Sequence, residues 1–141
     1  MYQTVTAGRS GDVKTIIVAA AVIIKDGKVF ATQRGYGKYK DFWEFPGGKI
    51  EQGETPQIAL AREIREELDT EIAAGEEIAL VEYDYPEFRV IMHCLLSQIV
   101  SGDLVLKEHE ASAWLGKNDL YSVKWLPSDL SVLEKIAQYL E

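Results

Sequence analysis

Glu63, Glu66 and Glu67 lie three and four residues apart in the stretch AREIREELD, residues 61–69. On a helix those spacings return to one face, so the three carboxylates fall within an arc of about 100°. Oxygen-only donors gathered in this way suit a hard divalent cation such as Mg²⁺, which completes its near-octahedral shell with water or substrate phosphate. The bland alternative is a solvated acidic face, with Arg62 and Arg65 as local ion-pair partners. Exposed like charges at these spacings cost only a few tenths of a kcal/mol, so charge alone does not choose between the two. Gly47 and Gly48 lie just upstream. Lacking Cβ atoms, they allow backbone to approach a metal or phosphate that a larger residue would block.

The elements around this patch must aim it. Thr55 offers a hydroxyl N-cap and Pro56 suits the first helical position, so a helix is predicted from there to about Leu68. Leu60, Ala61, Ile64 and Leu68 form its apolar stripe and set its rotation. Upstream, the run IIVAAAVII (16–24) reads as a buried strand, and Asp26-Gly27 as a two-residue hairpin turn leading into a partner strand at 28–34. A Gly- and Tyr-containing surface loop follows at 35–41, then an extended segment at 43–45. Pro46-Gly47-Gly48 is expected to turn tightly before a short strand holding Lys49 and Ile50. Apolar runs at 77–85 and 88–100, parted by Pro86-Glu87, predict a second hairpin. Shorter extended pieces are expected at 112–115 and 121–125. Leu130, Leu133, Ile136, Ala137 and Leu140 recur at helical spacing, with Ser131 and Glu134 in a capping-box relation. The result is one mixed sheet flanked by two helices.

At 141 residues the chain has the length of one domain. A formal net charge of −8 opposes a broad grip on nucleic acid, which needs clustered Lys and Arg, while a small anion bridged by metal stays compatible. Cys94 is the single cysteine, so no internal disulfide forms, and a reducing compartment and a core position are expected for it. The longest apolar run is well short of the roughly 18 residues of a membrane helix, and no signal-peptide pattern precedes it. Residues 1–14 are polar and aperiodic and are expected to be a flexible arm, with 15–141 as a single domain.

The stretch from Gly48 resembles the signature box of the Nudix hydrolases: Gly, five residues, Glu, seven residues, Arg-Glu, an aliphatic residue, any residue, Glu-Glu, any residue, Gly and an aliphatic residue. Gly48, Glu54, Arg62, Glu63, Ile64, Glu66 and Glu67 fall on it in register, seven of nine defined positions and every acidic one. Asp69 and Thr70 depart, standing where the family has glycine and an aliphatic residue. A left-handed helix end at Asp69 costs on the order of 1 kcal/mol relative to glycine, a matter of stability rather than chemistry.

The resemblance implies an α+β Nudix fold, a mixed β-sheet between α-helices, and hydrolysis of a diphosphate linkage. It implies that Glu63, Glu66 and Glu67, with the Gly48 carbonyl, bind Mg²⁺ or Mn²⁺, and that Glu54 and Arg62 tie the loop to the helix. Beyond the box, Gln33-Arg34, WEFPGGK, the loop KEHEASAW (107–114) and LPSD resemble the MutT-type and CTP pyrophosphohydrolase branch. That places Glu108 as a further metal ligand or general base, Arg34 near the phosphates, and Phe45 in the base pocket or, equally, the core. His93 and His109 are weaker candidates. Asp129 falls where guanine readers of the branch have Asn and the cytidine branch has Asp. An ionised Asp only accepts, so it suits an amino donor such as cytosine N4, although a helix-capping role is the plain alternative.

The reading is a metal-dependent nucleoside triphosphate pyrophosphohydrolase of the cytoplasm, acting on CTP, dCTP or a modified cytosine nucleotide. Its partner is a small nucleotide, not a nucleic acid polymer or membrane, and it works as monomer or homodimer. The alternatives are an 8-oxo-dGTP diphosphatase, a dinucleotide hydrolase of the ADP-ribose type, and a non-catalytic nucleotide sensor.

Overall fold

The computed structural model describes residues 4–6 and 14–141. Strand β2 (Lys14–Lys25) is its spine. Along one edge β2 meets three short antiparallel partners in turn: β1 (Thr4–Thr6) at Lys14–Ile16, β5 (Gly47–Lys49) at Val18–Ala20, and the start of β3 (Lys28–Arg34) at Ile24–Lys25. Its other edge runs parallel to β7 (Phe88–Ser101), from Lys14 opposite Phe88 to Ile23 opposite Ser97. β6 (Glu71–Asp84) pairs antiparallel with β7 outside it, while β3 carries β4 (Trp43–Glu44) and β8 (His109–Leu115). The sheet is therefore mixed. Of the expected N-terminal arm, Thr4–Thr6 is this edge strand, and residues 1–3 and 7–13 lie outside the described residues.

Alternation along β2 divides the core, since successive side chains point to opposite faces. Ala19, Ala21 and Ile23 join Leu60, Ile64 and Leu68 of helix α1 (Pro56–Leu68) on one face. Ala20 and Val22 join Met92, Cys94, Leu133 and Ile136 on the other, beneath α2 (Pro127–Leu130) and α3 (Leu133–Ala137). Cys94 is fully buried, and that burial pushes its thiol up to about 12. No helix among the described residues is long and apolar enough to cross a membrane.

Local signals act as expected in several places. Asp26 and Gly27 both have positive φ, 52° and 74°, as the tight hairpin requires. The Thr55 hydroxyl accepts the Ile58 N–H at 3.2 Å, Pro56 opens α1, and Asp69 ends it in left-handed geometry with its N–H donated to Arg65 O. Three expectations are corrected. Gly47 and Gly48 do not turn; they lie in β5, where the missing Cβ of Gly47 lets this strand press against β2 and that of Gly48 makes room for the Glu63 side chain. Residues 121–125 are not extended beyond a bridge from Trp125 to Trp43; the Trp125 indole donates to Leu120 O at 2.7 Å and folds the segment back. The C-terminal helix is split in two and has no capping box. The Ser131 hydroxyl takes Ser128 O at 2.6 Å and the Val132 N–H turns to Asp129 O, which ends the first turn.

Candidate functional site

Where β3 diverges from β2 a cleft of about 580 Å³ opens, with β2, β5, α1 and the 126–129 segment in its walls. Burial of Leu60, Ile64 and Leu68 against the sheet fixes the rotation of α1 and turns Glu63 and Glu67 into this cleft. Glu63 is buried, with its carboxylate against Gly48, where a Cβ would fall 2.5 Å from Oε2. Glu67 is partly buried. Its carboxyl is pushed up to about 8, first by burial and then by the charges of Glu63, Glu108 and Glu44. Glu66 is exposed and not part of the cleft wall.

Arg62 organises the approach to the helix. Its guanidinium grips Glu54 in a two-pronged pair, Nε to Oε2 and Nη2 to Oε1, each 2.8 Å, and also donates to Lys49 O at 3.2 Å. Its Nη1 reaches Glu63 at 2.9 Å and Glu66 at 3.4 Å. Glu54 accepts the Glu51 N–H as well, so the residues between β5 and α1 are tied to the helix. Arg62 holds the Glu54 carboxyl down to about 2, below its ordinary 4.5. A depressed carboxyl contributes stability that is present above its unfolded value and is lost as pH falls through its folded one. Glu54→Gln is expected to lose about 1–2 kcal/mol at neutral pH, the size of a charge-assisted pair. Denaturant unfolding along a pH series should show this gap closing below pH 4.5 towards 2; a gap independent of pH would contradict it.

Glu108 arrives from far along the chain, exposed in the loop before β8 and lining the cleft. That loop is tied to the end of α1: Val105 N–H donates to Leu68 O at 2.8 Å, Leu104 N–H to the Thr70 hydroxyl at 2.9 Å, and Lys107 Nζ to Glu66 O at 3.2 Å. Thr70, a departure from the box, is thus a buried anchor whose hydroxyl also donates to Leu68 O.

Arg34 and Asp129 also line the cleft. Arg34 Nη1 pairs with Glu44 at 3.1 Å, and its buried Nε has no partner among the described residues. Asp129 is buried; Oδ2 accepts the Phe45 N–H at 2.9 Å and Oδ1 the Ser128 hydroxyl at 3.1 Å. Burial pushes its carboxyl up to about 7, with the Glu44 charge adding to this. Phe45 is a core residue with its ring tilted against Trp125, centroids 4.6 Å apart, and it borders the cleft. His93 pairs with Glu77 away from the cleft, whereas His109 lines it with Nδ1 buried and unpartnered among the described residues.

Among the cleft residues that sequence reasoning does not single out are Glu44, Tyr85 and Ser128. Glu44 gave the one available signal, a carboxylate between two aromatics in a short strand, where an apolar or hydrogen-bonded residue belongs. At the cleft mouth, Tyr39 packs on Tyr85 at 5.3 Å and Lys38 pairs with Glu87, so the 35–41 loop meets the β6–β7 turn.

The donor set fits a hard divalent cation. Glu63, Glu67 and Glu108 supply oxygen only, the charges of Glu63 and Glu108 raise the proton affinity of Glu67, and Gly48 leaves space beside Glu63. Among the described residues no three such side chains are already drawn around one point. Arg62 holds Glu63 and Glu66, which would have to turn from it to bind a common ion.

The profile of the NUDIX domain matches residues 15–136. The chain is 34% identical over 122 residues to the CTP pyrophosphohydrolase of Escherichia coli K12, covering 86% of this chain and 90% of that one. It is 38% identical over 87 residues to the 8-oxo-dGTP diphosphatase of Proteus vulgaris, covering 60% and 78%. The solution structure of the E. coli ORF135 protein superposes with a TM-score of 0.75 at 34% identity, over 90% of this chain and 91% of that one. With its carboxylate helix and glycine strand inside the matched region, the chain belongs to the NUDIX family and is a hydrolase acting on phosphoric anhydrides.

Proposed function

We propose that the protein is a divalent-metal-dependent nucleoside triphosphate pyrophosphohydrolase that releases nucleoside monophosphate and pyrophosphate, with CTP, dCTP or a modified cytosine nucleotide as substrate. The observation that carries this reading is that Glu63, Glu67, Glu108 and Asp129 line one cleft, of a volume ordinary for a nucleotide-sized ligand. The triphosphate then lies towards the glutamates and the base towards Asp129. The similarity to a CTP pyrophosphohydrolase supports the same choice. The acidic surface argues for a free nucleotide over a polymer, and the cytoplasm is the proposed setting.

In this mechanism Glu63, Glu66, Glu67 and Glu108, with the Gly48 carbonyl, would hold Mg²⁺ or Mn²⁺ once Glu63 and Glu66 turn from Arg62. A divalent cation bound there would supply positive charge against the phosphate oxygens and acidity to the attacking water. Arg34, which lines the cleft, sets its guanidinium charge against a phosphate oxygen. Glu54 and Arg62 keep the helix and its preceding loop in place. Glu108 takes the proton of water or completes the ligand set. Asp129 accepts the cytosine amino group through lone pairs that Phe45 and Ser128 leave free.

A second reading, hydrolysis of 8-oxo-dGTP, is favoured by one feature. A carboxyl lifted to about 7 is partly protonated at neutral pH, and a protonated Asp129 both donates and accepts. Pyrophosphate and phosphate release, with and without Mg²⁺, across ribo- and deoxynucleoside triphosphates including 5-methylcytosine and 8-oxoguanine forms, separates the two. Metal-dependent pyrophosphate release strongest for cytosine forms is the expected result. Asp129→Asn should narrow the cytosine preference about tenfold or more, the scale of a mismatched buried hydrogen bond. An unchanged preference would remove Asp129 from the base pocket, and absence of triphosphate turnover would redirect attention to dinucleotides and the sensor role.

A further inference from the structure

Asp129 is the end of a hydrogen-bonded chain that starts on another element. The Tyr85 hydroxyl, beside the β6–β7 turn, lies 2.8 Å from Ser128 Oγ and accepts the Ser128 N–H at 3.1 Å. Ser128 Oγ in turn lies 3.1 Å from Asp129 Oδ1. Tyr85, Ser128 and Asp129 are all buried, and all three line the cleft.

The chain has two possible polarities. In the first, Tyr85 donates to Ser128 and Ser128 donates to Asp129 Oδ1 while the Phe45 N–H donates to Oδ2, so both carboxyl oxygens are acceptors, which favours the ionised form. In the second, a protonated Asp129 donates to Ser128 and Ser128 to Tyr85, whose own proton then has no acceptor among the described residues. A buried donor without an acceptor is costly, so the first polarity satisfies every group and the second does not. Burial also holds the Tyr85 phenol above its ordinary value, keeping it a donor at neutral pH.

We propose that Tyr85 and Ser128 are positioning residues that set base choice, by holding Asp129 as an acceptor facing the base end of the cleft. The proposal rests on the base-reading role given to Asp129 above. It makes discrimination between amino and keto bases a property of three residues on two elements. The opposing influences on Asp129 come from the surrounding strands: Glu44 on β4 raises its proton affinity, Arg34 on β3 lowers it, and Cys94 on β7 stays neutral. The Phe45 N–H favours the ionised form.

The test is equilibrium binding of CMP and GMP without added metal, followed by tryptophan fluorescence across pH, for the wild type, Tyr85→Phe, Ser128→Ala, Ser128→Thr and Asp129→Asn. CMP binding that needs the carboxylate is present above the Asp129 pKa and is lost as pH falls through it. Removing a donor to the carboxylate raises that pKa, so in Tyr85→Phe and Ser128→Ala the loss should move to higher pH by about half to one unit. The CMP-to-GMP affinity ratio should fall about three- to tenfold, the size of one lost hydrogen bond. Ser128→Thr keeps the hydroxyl and should behave as wild type. Tyr85→Phe retains the ring that stacks on Phe88, so its fold is expected to persist.

If Asp129→Asn changes the ratio while Tyr85→Phe and Ser128→Ala leave both ratio and pH midpoint unchanged, the positioning role is overturned and base reading by Asp129 stands. A ratio that falls without any pH shift also overturns it, since general loosening of the pocket would do that. If Asp129→Asn leaves the ratio unchanged as well, the base-reading role fails and takes this inference with it.

Discussion

Glu67→Gln is expected to lower kcat/KM by about two to four orders of magnitude, while the folded chain without divalent cation becomes no less stable. The first effect is the several kcal/mol of transition-state charge stabilisation that a correctly held cation supplies. The second follows from the neighbourhood. Glu67 is partly buried, and its carboxyl, pushed up to about 8, is mostly neutral at pH 7 without a cation, so a neutral side chain of the same shape replaces it at little cost. A cation that binds only the folded state raises the unfolding temperature, and the variant should lose most of that Mg²⁺-dependent rise. Thermal unfolding with and without Mg²⁺, beside steady-state turnover of CTP, reads both. Turnover within about tenfold of wild type together with an intact Mg²⁺ response would mean that this carboxylate is not part of the metal site. A fall in activity with a matching fall in cation-free stability would place Glu67 in the scaffold instead.

Much of this site was legible because its signals are local. Thr55 and Pro56 announce the start of α1 by their own chemistry, and helical spacing puts Glu63 and Glu67 on one side whatever the rest of the chain does. Spacing did not reveal that Glu66 would be drawn outwards, away from the cleft wall and towards Arg62. The features that were not legible depend on distant partners. Gly47-Gly48 has the composition of a turn, and only contact with Ala19 and Ala20 makes it a strand. Ser131 looks like a helix cap, yet its hydroxyl is taken by Ser128 O, and the helix divides there. Glu44 is polar on an aromatic strand, but its influence on Glu67 and Asp129 exists only once β4 lies beside the cleft. Thr70 looked like a defect in the box until the loop carrying Glu108 was seen to hang from its hydroxyl.

Gly47→Ala is expected to destabilise the protein by about 3 kcal/mol or more, and Gly48→Ala by much less, although the two residues are adjacent on one strand. A Cβ on Gly47 would overlap the Ala19 carbonyl oxygen and come within 3.0 Å of Ala19 C and Ala20 Cα. Those are backbone atoms at the centre of the sheet, where β2 is also paired to β7, so they cannot yield without breaking the register. A Cβ on Gly48 would instead meet the Glu63 side chain, 2.5 Å from Oε2 and 2.8 Å from Cγ. A side chain can rotate aside, at a cost of about 1 kcal/mol, but it then carries its carboxylate out of place. Denaturant unfolding and turnover should therefore separate the pair: Gly47→Ala loses stability and activity together, and Gly48→Ala keeps most of its stability while losing activity. Equal destabilisation would show that β5 is held as one rigid unit. Retained activity in Gly48→Ala would show that the Glu63 carboxylate is free to serve the reaction from a second rotamer.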